Sequence, residues 1–301
     1  MRVLYIGKHG NGKNDDEGSI LYSLEQLGHT VTRITEVQGK FGKYDNNHDL
    51  CLFNHWGDYE AIKKIQIPKV FWYFDLVNAV DKTVARRSRN RIEHMRNIIP
   101  LVDLGFCTDG DWVNQDKSGK LIRLTQGADP RKIGVGTQTI NNKHKILFTG
   151  SSYRAGKDRQ KFVWDMRNKY RHHFVHIEGN SESNSYGRDL ADKVANSHIV
   201  VCPNTPVTDN YWSNRVYNAL GFGAFVLHPY CKTLKEQYHD GTDLVMYHSM
   251  EDLHNKIEEY ISDTYKMSLI GLLGLETTKK EHTYLHRCET LINTVKERLG
   301  I

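Results

Sequence analysis

The sequence is short of the features that mark several protein classes. Its longest apolar run falls well below the ~20 residues that cross a bilayer. MRVLYIG leads straight into a strand pattern, so no signal peptide or membrane anchor is expected. Five cysteines (Cys51, Cys107, Cys202, Cys231 and Cys288) are odd in number, widely spaced and without a CxxC pair. That argues against a disulfide framework and suits buried thiols in a reducing, cytoplasmic setting. Sixteen histidines include no HExxH or Cys/His knuckle, and the adjacent His172 and His173 project in different directions. No structural metal is expected. The Walker pattern GxxxxGK[ST] is absent as well.

What remains is ordinary in amount and uneven in distribution. With 39% hydrophobic and 26% charged residues, 301 residues suit a globular chain of two domains. The net charge is +5. Residues 82–96 (KTVARRSRNRIEHMR) carry Lys82, Arg86, Arg87, Arg89, Arg91 and Arg96 against Glu93 alone, a local excess equal to that of the whole chain. A polyanionic partner is one reading of this segment. The other is a solvated helix whose arginines cover apolar surface.

Hydrophobic periodicity divides the chain into strand–helix alternations. In the first half, strands are expected at Val3–Ile6, His29–Ile34, Leu50–Asn54 and Lys69–Phe74 and around Leu104–Thr108. Helices are expected at Ser19–Leu27 and Tyr59–Ile65 and in the basic segment. The glycine-rich Gly10–Gly18 loop reads as a candidate lid. Polar, aperiodic Gly134–Lys145 reads as a linker. After it, strands are expected at Ile146–Thr149, Phe174–Glu178, Ile199–Cys202, Ala224–Leu227 and Leu244–Tyr247. Intervening helices are expected at Lys157–Tyr170, Arg188–Asn196, Asn214–Leu220, Thr233–His239 and Met250–Ser262, with a last amphipathic helix from about Thr283 to Leu299. The pattern predicts two doubly wound α/β domains with a cleft between them. The boundaries drawn are 1–138, 139–282 and 283–301, the last being a helix that returns to the first domain.

Two constellations carry chemistry. In Phe148–Arg159 (FTGSSYRAGKDR) a strand ends in Gly150 and Ser151, and Arg154, Lys157 and Arg159 arrive as a helix begins. Small residues expose backbone N–H groups, the helix start adds positive partial charge, and the cations would neutralise a diphosphate. A plain strand–helix turn with a basic face is the alternative. In Asn214–Pro229 (NRVYNALGFGAFVLHP) one helical turn separates Arg215 from Asn218, so both can face one ligand. An ordinary helix–strand corner is the alternative there.

The order G-S-x-x-R, D-x-x-x-x-S-x-I-V-V, N-R-V-x-x-A-x-x-x-G-A-x-V-L, D-G-x-x-x-V-x-Y, H-T-Y and R, over about Lys145–Leu291, resembles the C-terminal half of GT-B glycosyltransferases. It looks most like the spore-maturation group of the family-1/family-4-like transferases. A second resemblance is to the DNA β-glucosyltransferases of T-even bacteriophages. It rests on the strand ending FWYFD (Phe71–Asp75), the Gly150–Arg159 loop, the Arg215–Asn218 helix, and Glu17 ahead of the first long helix.

These resemblances imply a GT-B fold and transfer of a hexose from a nucleotide sugar, UDP-glucose by the second. They imply Asp75 as general base and Gly150, Ser151, Arg154, Lys157, Arg159, Arg215 and Asn218 as donor contacts. Glu17 is a further substrate contact by resemblance, and His55 one by its place in NHWGDY. A single in-line displacement would invert the anomeric centre. Both families usually have a glutamate where this chain has Asn218, which can bond a ribose hydroxyl only without charge assistance.

Residue by residue, bland alternatives stand beside these roles. Asp75 could be a strand-end cap, His55 a satisfied loop histidine, and Trp56, Trp72 and Tyr73 core aromatics rather than stacking platforms. The acceptor stays open. Double-stranded DNA with hydroxymethylated pyrimidines, in a bacterial or phage-infected cell, would use Arg86, Arg87, Arg89 and Arg91 on its phosphates, with the target base extruded towards Asp75. A surface glycan, protein or small metabolite is the rival acceptor, and a non-catalytic binding module is a third reading. A monomer without a membrane partner is expected. No DxD-type motif stands where a donor-bound ion would need it, and Mg2+ assisting product release is left open.

Overall fold

The computed structural model describes residues 1–8, 16–77, 85–136, 144–152, 156–178 and 187–301, with side chains for all of these except 85–89, 144–145 and 187–188. Most of the Gly10–Gly18 loop therefore lies outside the described residues, as do Arg154 and the side chains of Arg86, Arg87 and Arg89.

The chain divides into two compact units. The first runs to Gln126 and includes Tyr284–Ile301; the second contains Gly127–Thr283. In the first unit the order is β1 (Arg2–Gly7), α1 (Asp16–Gln26), β2 (Thr30–Thr35), α2 (Glu36–Lys40), β3 (Leu50–Phe53), α3 (Tyr59–Lys63), β4 (Lys69–Tyr73), α4 (Ala85–Ile98), β5 (Leu104–Cys107), α5 (Gly110–Gln115) and β6 (Leu121–Arg123). In the second it is β7 (His144–Thr149), α6 (Lys157–Tyr170), β8 (Phe174–Ile177), α7 (Gly187–Ala195), β9 (Ser197–Val201), α8 (Arg215–Gly221), β10 (Val226–Pro229), β11 (Val245–Tyr247), α9 (Met250–Ile261) and α10 (Thr264–Glu281). The last helix, α11 (Tyr284–Leu299), belongs to the first unit.

Both sheets are parallel among the described residues, ordered β2-β1-β3-β4-β5-β6 and β11-β10-β9-β7-β8. Helices cover both faces of the first, so its central strands read as unbroken apolar runs. Val3, Tyr5, Leu50, Leu52, Val70 and Trp72 meet Ile20 and Leu24 of α1 and Tyr284, Cys288, Leu291 and Val295 of α11. The alternate residues Leu4, Ile6, Cys51, Phe53, Phe71 and Tyr73 meet Ile62, Met95 and Ile98. Trp56, Trp72 and Tyr73 are buried in this core, which is the bland alternative for all three. Each fully buried aliphatic contributes roughly 1.5–3 kcal/mol.

Each sheet has one point where the strand order reverses, β1/β3 in the first and β7/β9 in the second. Crevices beyond the carboxyl ends of such strands are where open parallel sheets bind ligands.

Several local expectations are corrected. Thr233–His239 forms consecutive turns rather than a helix, and β6, α2, α5 and the 18-residue α10 had no predicted element. Gly271 and Gly274 obscure the helical signal of α10 and explain its packing. A Cβ at 271 would stand 2.7 Å from the Gly223 carbonyl oxygen, and one at 274 would meet the Asp243 carbonyl oxygen and lie 2.8 Å from Leu220 Cδ2. The glycines let α10 lie directly on backbone. The division between units also falls ahead of Gly134–Lys145, of which 137–143 lie outside the described residues. Ala128 already pairs with Thr283, and Gly134 N–H donates to the Gly221 carbonyl, so these residues are bound to the second unit. No described helix is long and apolar enough to cross a membrane.

Candidate active site

In the second unit, β7 delivers the chain to its switch point and Gly150 turns it away with φ +144. The turn is tied to the end of β8. Gly150 N–H donates to the Ile177 carbonyl at 3.0 Å, and His176 Nε2 donates to the Gly150 carbonyl at 2.7 Å while the imidazole stacks on Phe148. Ser152 gives its N–H (2.9 Å) and its hydroxyl (2.5 Å) to the Glu178 carboxylate, and the Ser151 side chain bonds the same group. Burial pushes the Glu178 carboxyl up, but these hydrogen bonds outweigh it and hold the group below its ordinary range. The serines thus shape the loop through Glu178.

Two arginines converge beside this turn. Arg159, the third residue of α6, is 5% exposed. Its Nε donates to Thr205 Oγ1 at 2.9 Å and its Nη2 to the Pro203 carbonyl at 3.2 Å. Arg215, the first residue of α8, donates from Nη1 to the same carbonyl at 3.3 Å and to Ser213 Oγ at 3.0 Å. Both guanidinium groups lie against the Phe148 ring, 5.3 and 5.5 Å from its centroid. Burial, then the like charge of Arg215, lowers Arg159 to about 9, and burial lowers Arg215. Among the described residues, no carboxylate stands within ion-pair distance of either. Two desolvated cations sharing one carbonyl are costly alone and are stabilised by an anion with several acceptor oxygens.

The other predicted donor contacts are less engaged. Lys157 opens α6 and is exposed, behind Gly156, which makes no side-chain cap. Asn218 lies one turn along α8 from Arg215, partly exposed, its side chain without a hydrogen bond among the described residues. Sequence reasoning missed the His176–Glu178 brace and the Pro203 carbonyl, since neither belongs to a recognisable pattern.

In the first unit, Asp75 lies just beyond β4. Arg91 Nη2 holds its Oδ2 at 2.9 Å. Arg91 is thereby engaged by a carboxylate. His55, just beyond β3, has φ +36, an uncommon conformation for a residue with a side chain, in a turn closed by Trp56 N–H donating to the Asn54 carbonyl. Its ring packs edge-on to Tyr73 (4.7 Å) and Phe74 (5.8 Å). Burial lowers the His55 pKa, opposed by the Asp75 and Glu17 carboxylates and reinforced by Lys8 and Arg91. Glu17 folds over the end of β1, accepting from Lys8 N–H at 3.3 Å, where a Cβ on Gly7 would stand 2.7 Å from its Oε2. Glu17, His55 and Asp75 therefore share the carboxyl end of the sheet at β1, β3 and β4. His94, unforeseen, backs this end: Tyr59 Oη lies 2.9 Å from its Nδ1, and burial, then His55, lowers it to about 4.

A family model described as glycosyl transferase-like matches residues 141–293. Comparison with curated proteins finds no match. Among solved structures, sucrose-phosphate synthase from Thermosynechococcus elongatus is similar with a TM-score of 0.68 at 11% identity, covering 100% of this chain and 99% of that one. Anabaena HepE in complex with UDP-glucose is similar with a TM-score of 0.65 at 11% identity, over 99% and 100% of the two chains. A glycosyltransferase from Rickettsia africae follows at 0.61 and 11%, over 99% and 98%. At such identities the likeness concerns the fold, two Rossmann-like units of the GT-B kind. With that fold and a family match extending over half of its length, the chain belongs to the glycosyl transferase-like family and is a glycosyltransferase.

Proposed function

We propose that the chain transfers a hexose, glucose from UDP-glucose, to a hydroxyl acceptor with inversion at the anomeric carbon. The observation that carries this reading is the pair of buried arginines, Arg159 and Arg215, sharing the Pro203 carbonyl and the Phe148 ring without a carboxylate among the described residues. A UDP diphosphate would supply the missing negative charge and grow more negative as the glycosidic bond breaks, so the pair stabilises the transition state more than the ground state. Gly150, Ser151, Lys157 and Asn218 would complete the donor contacts, with Arg154. The complexes of HepE with UDP and UDP-glucose support the choice of nucleotide and sugar.

Asp75 would act as general base. Its Oδ1, without a hydrogen bond among the described residues, would take the acceptor proton as the acceptor oxygen bonds to the anomeric carbon and the electron pair of the breaking carbon–oxygen bond leaves with UDP. His55 and Glu17, at the same end of the sheet, would contact substrate. For the acceptor, the basic segment 82–96 and the likeness of Phe71–Asp75 to the phage enzymes support hydroxymethylated pyrimidine in duplex DNA.

Calorimetric titration with UDP-glucose tests the donor. Arg159→Ala and Arg215→Ala should each weaken binding by roughly 10–100-fold, the loss of a charge-assisted contact worth about 1.5–3 kcal/mol. Unchanged affinity in both variants would refute the donor site. Labelled glucose transferred to hydroxymethylated but not plain duplex would support the acceptor, and product NMR showing retention would exclude inversion.

A further inference from the structure

The loop that bears Asp75 is pinned by side chains from outside it. The Thr108 hydroxyl donates to the Phe74 carbonyl at 2.6 Å, and Val77 N–H donates to Asp109 Oδ2 at 2.9 Å. Arg91, on α4, holds the segment between these two. Its Nη1 donates to the Leu76 carbonyl at 2.8 Å while its Nη2 pairs with Asp75 Oδ2 at 2.9 Å. One planar guanidinium therefore spans the carboxylate and the neighbouring backbone, a geometry that the single ammonium of lysine cannot reproduce. Asp75 Oδ1 makes no hydrogen bond among the described residues, and the side chain is 47% exposed. One oxygen is anchored and the other is presented.

We propose that Arg91 is a positioning residue for the carboxylate of Asp75, holding Oδ2 so that Oδ1 faces the acceptor hydroxyl. The inference rests on the reading of Asp75 as general base. It gives Arg91 a role distinct from the phosphate contact suggested by its place in the basic segment. A partly exposed ion pair contributes little to stability. A base held in one orientation gains through geometry, because reaction needs the acceptor proton within hydrogen-bond reach. The two roles therefore differ in what they move: turnover or melting temperature.

The test is UDP release from saturating UDP-glucose with water as acceptor, for wild type, Asp75→Asn, Arg91→Ala, Arg91→Lys and the double variant. Arg91→Ala should lower kcat by about 10–100-fold with KM for UDP-glucose and melting temperature nearly unchanged. Millimolar guanidinium chloride should restore part of that turnover where sodium chloride at equal ionic strength does not. Arg91→Lys should recover only part of it. In the Asp75→Asn background Arg91→Ala should cost nothing further, since it acts through the carboxylate already removed. Lys117→Ala, an exposed cation beyond α5 in the same unit, is the control expected to match wild type. No UDP release by wild type, or undiminished release by Asp75→Asn, overturns the base reading and this inference together. An inactive Asp75→Asn beside an Arg91→Ala with wild-type kcat overturns this inference alone. Additive losses in the double variant, or a melting temperature that falls with kcat, do so too.

Discussion

The Arg215 guanidinium fills the space that a side chain on residue 150 would need: a Cβ there would stand 2.9 Å from Arg215 Nη2 and 3.2 Å from Phe148 Cζ. Gly150 also has φ +144, where L side chains are strained. Gly150→Ala should therefore displace the cation as well as strain the turn. The expected result is UDP-glucose affinity reduced by about tenfold or more, with a stability loss of about 1–2 kcal/mol. Calorimetry and thermal unfolding measure the two separately, and intact affinity would show that Arg215 can shift without consequence.

His228, 1% exposed at the end of β10, donates from Nδ1 to the Pro229 carbonyl at 2.6 Å. Burial lowers its pKa to about 4, the Pro229 carbonyl opposing the shift and Arg215 adding to it. Between about pH 6.5 and 4 the unfolded chain takes up a proton that the native state refuses. The stability from this residue is complete above about pH 6.5 and falls by up to about 3 kcal/mol as the pH drops to about 4. His228→Asn should remove about one proton's worth of that slope, read from denaturant unfolding across the interval. An unchanged slope would mean that His228 titrates normally in the native state.

Gly274 reverses the usual effect of a helical glycine. Exchange for alanine in a helix ordinarily gains about 0.5–1 kcal/mol. Here the new methyl would meet the Asp243 carbonyl oxygen and Leu220 Cδ2, so Gly274→Ala should destabilise by about 1–3 kcal/mol. Ser268→Ala, on the exposed face of α10, should be close to neutral. Urea unfolding of the pair reads the difference; a gain in Gly274→Ala would mean that α10 is free to lift.

The buried Tyr284 hydroxyl donates to Asp16 Oδ1 at 2.8 Å, and Gln126 Nε2 donates to the other oxygen at 3.2 Å. Tyr284→Phe leaves that carboxylate one donor short and should cost about 1–3 kcal/mol. Truncation after Thr283 should cost far more, since Cys288, Leu291, Ile292 and Val295 leave the core of the first unit with it. Circular dichroism melts of the two variants separate the hydroxyl from the packing.

Local pattern carried much of the fold. β1, β3, β4, β7 and β9 are short apolar runs whose signal needs no distant partner, and α6, α9 and α11 have faces legible from spacing alone. β6, three residues at the sheet edge, is too short to show alternation. α10 was hidden by Gly271 and Gly274, whose purpose appears only when Gly223 and Asp243 lie beneath them.

The candidate site was legible as residue types more than as relationships. Gly150, Arg159 and Arg215 stand out because small residues and cations at strand ends suit a phosphate, whatever the neighbours. That the two arginines share the Pro203 carbonyl is a tertiary fact, since they start different helices and meet only because β7 and β9 are adjacent. Arg91 makes the same point. In the sequence it is one basic residue in a run; in the fold it belongs to Asp75. Periodicity and residue chemistry, which act over a few residues, determined the alternation of strands and helices and the kinds of side chain offered at strand ends. Strand order and helix packing, set by contacts between residues far apart in the chain, decided which of those side chains face one another.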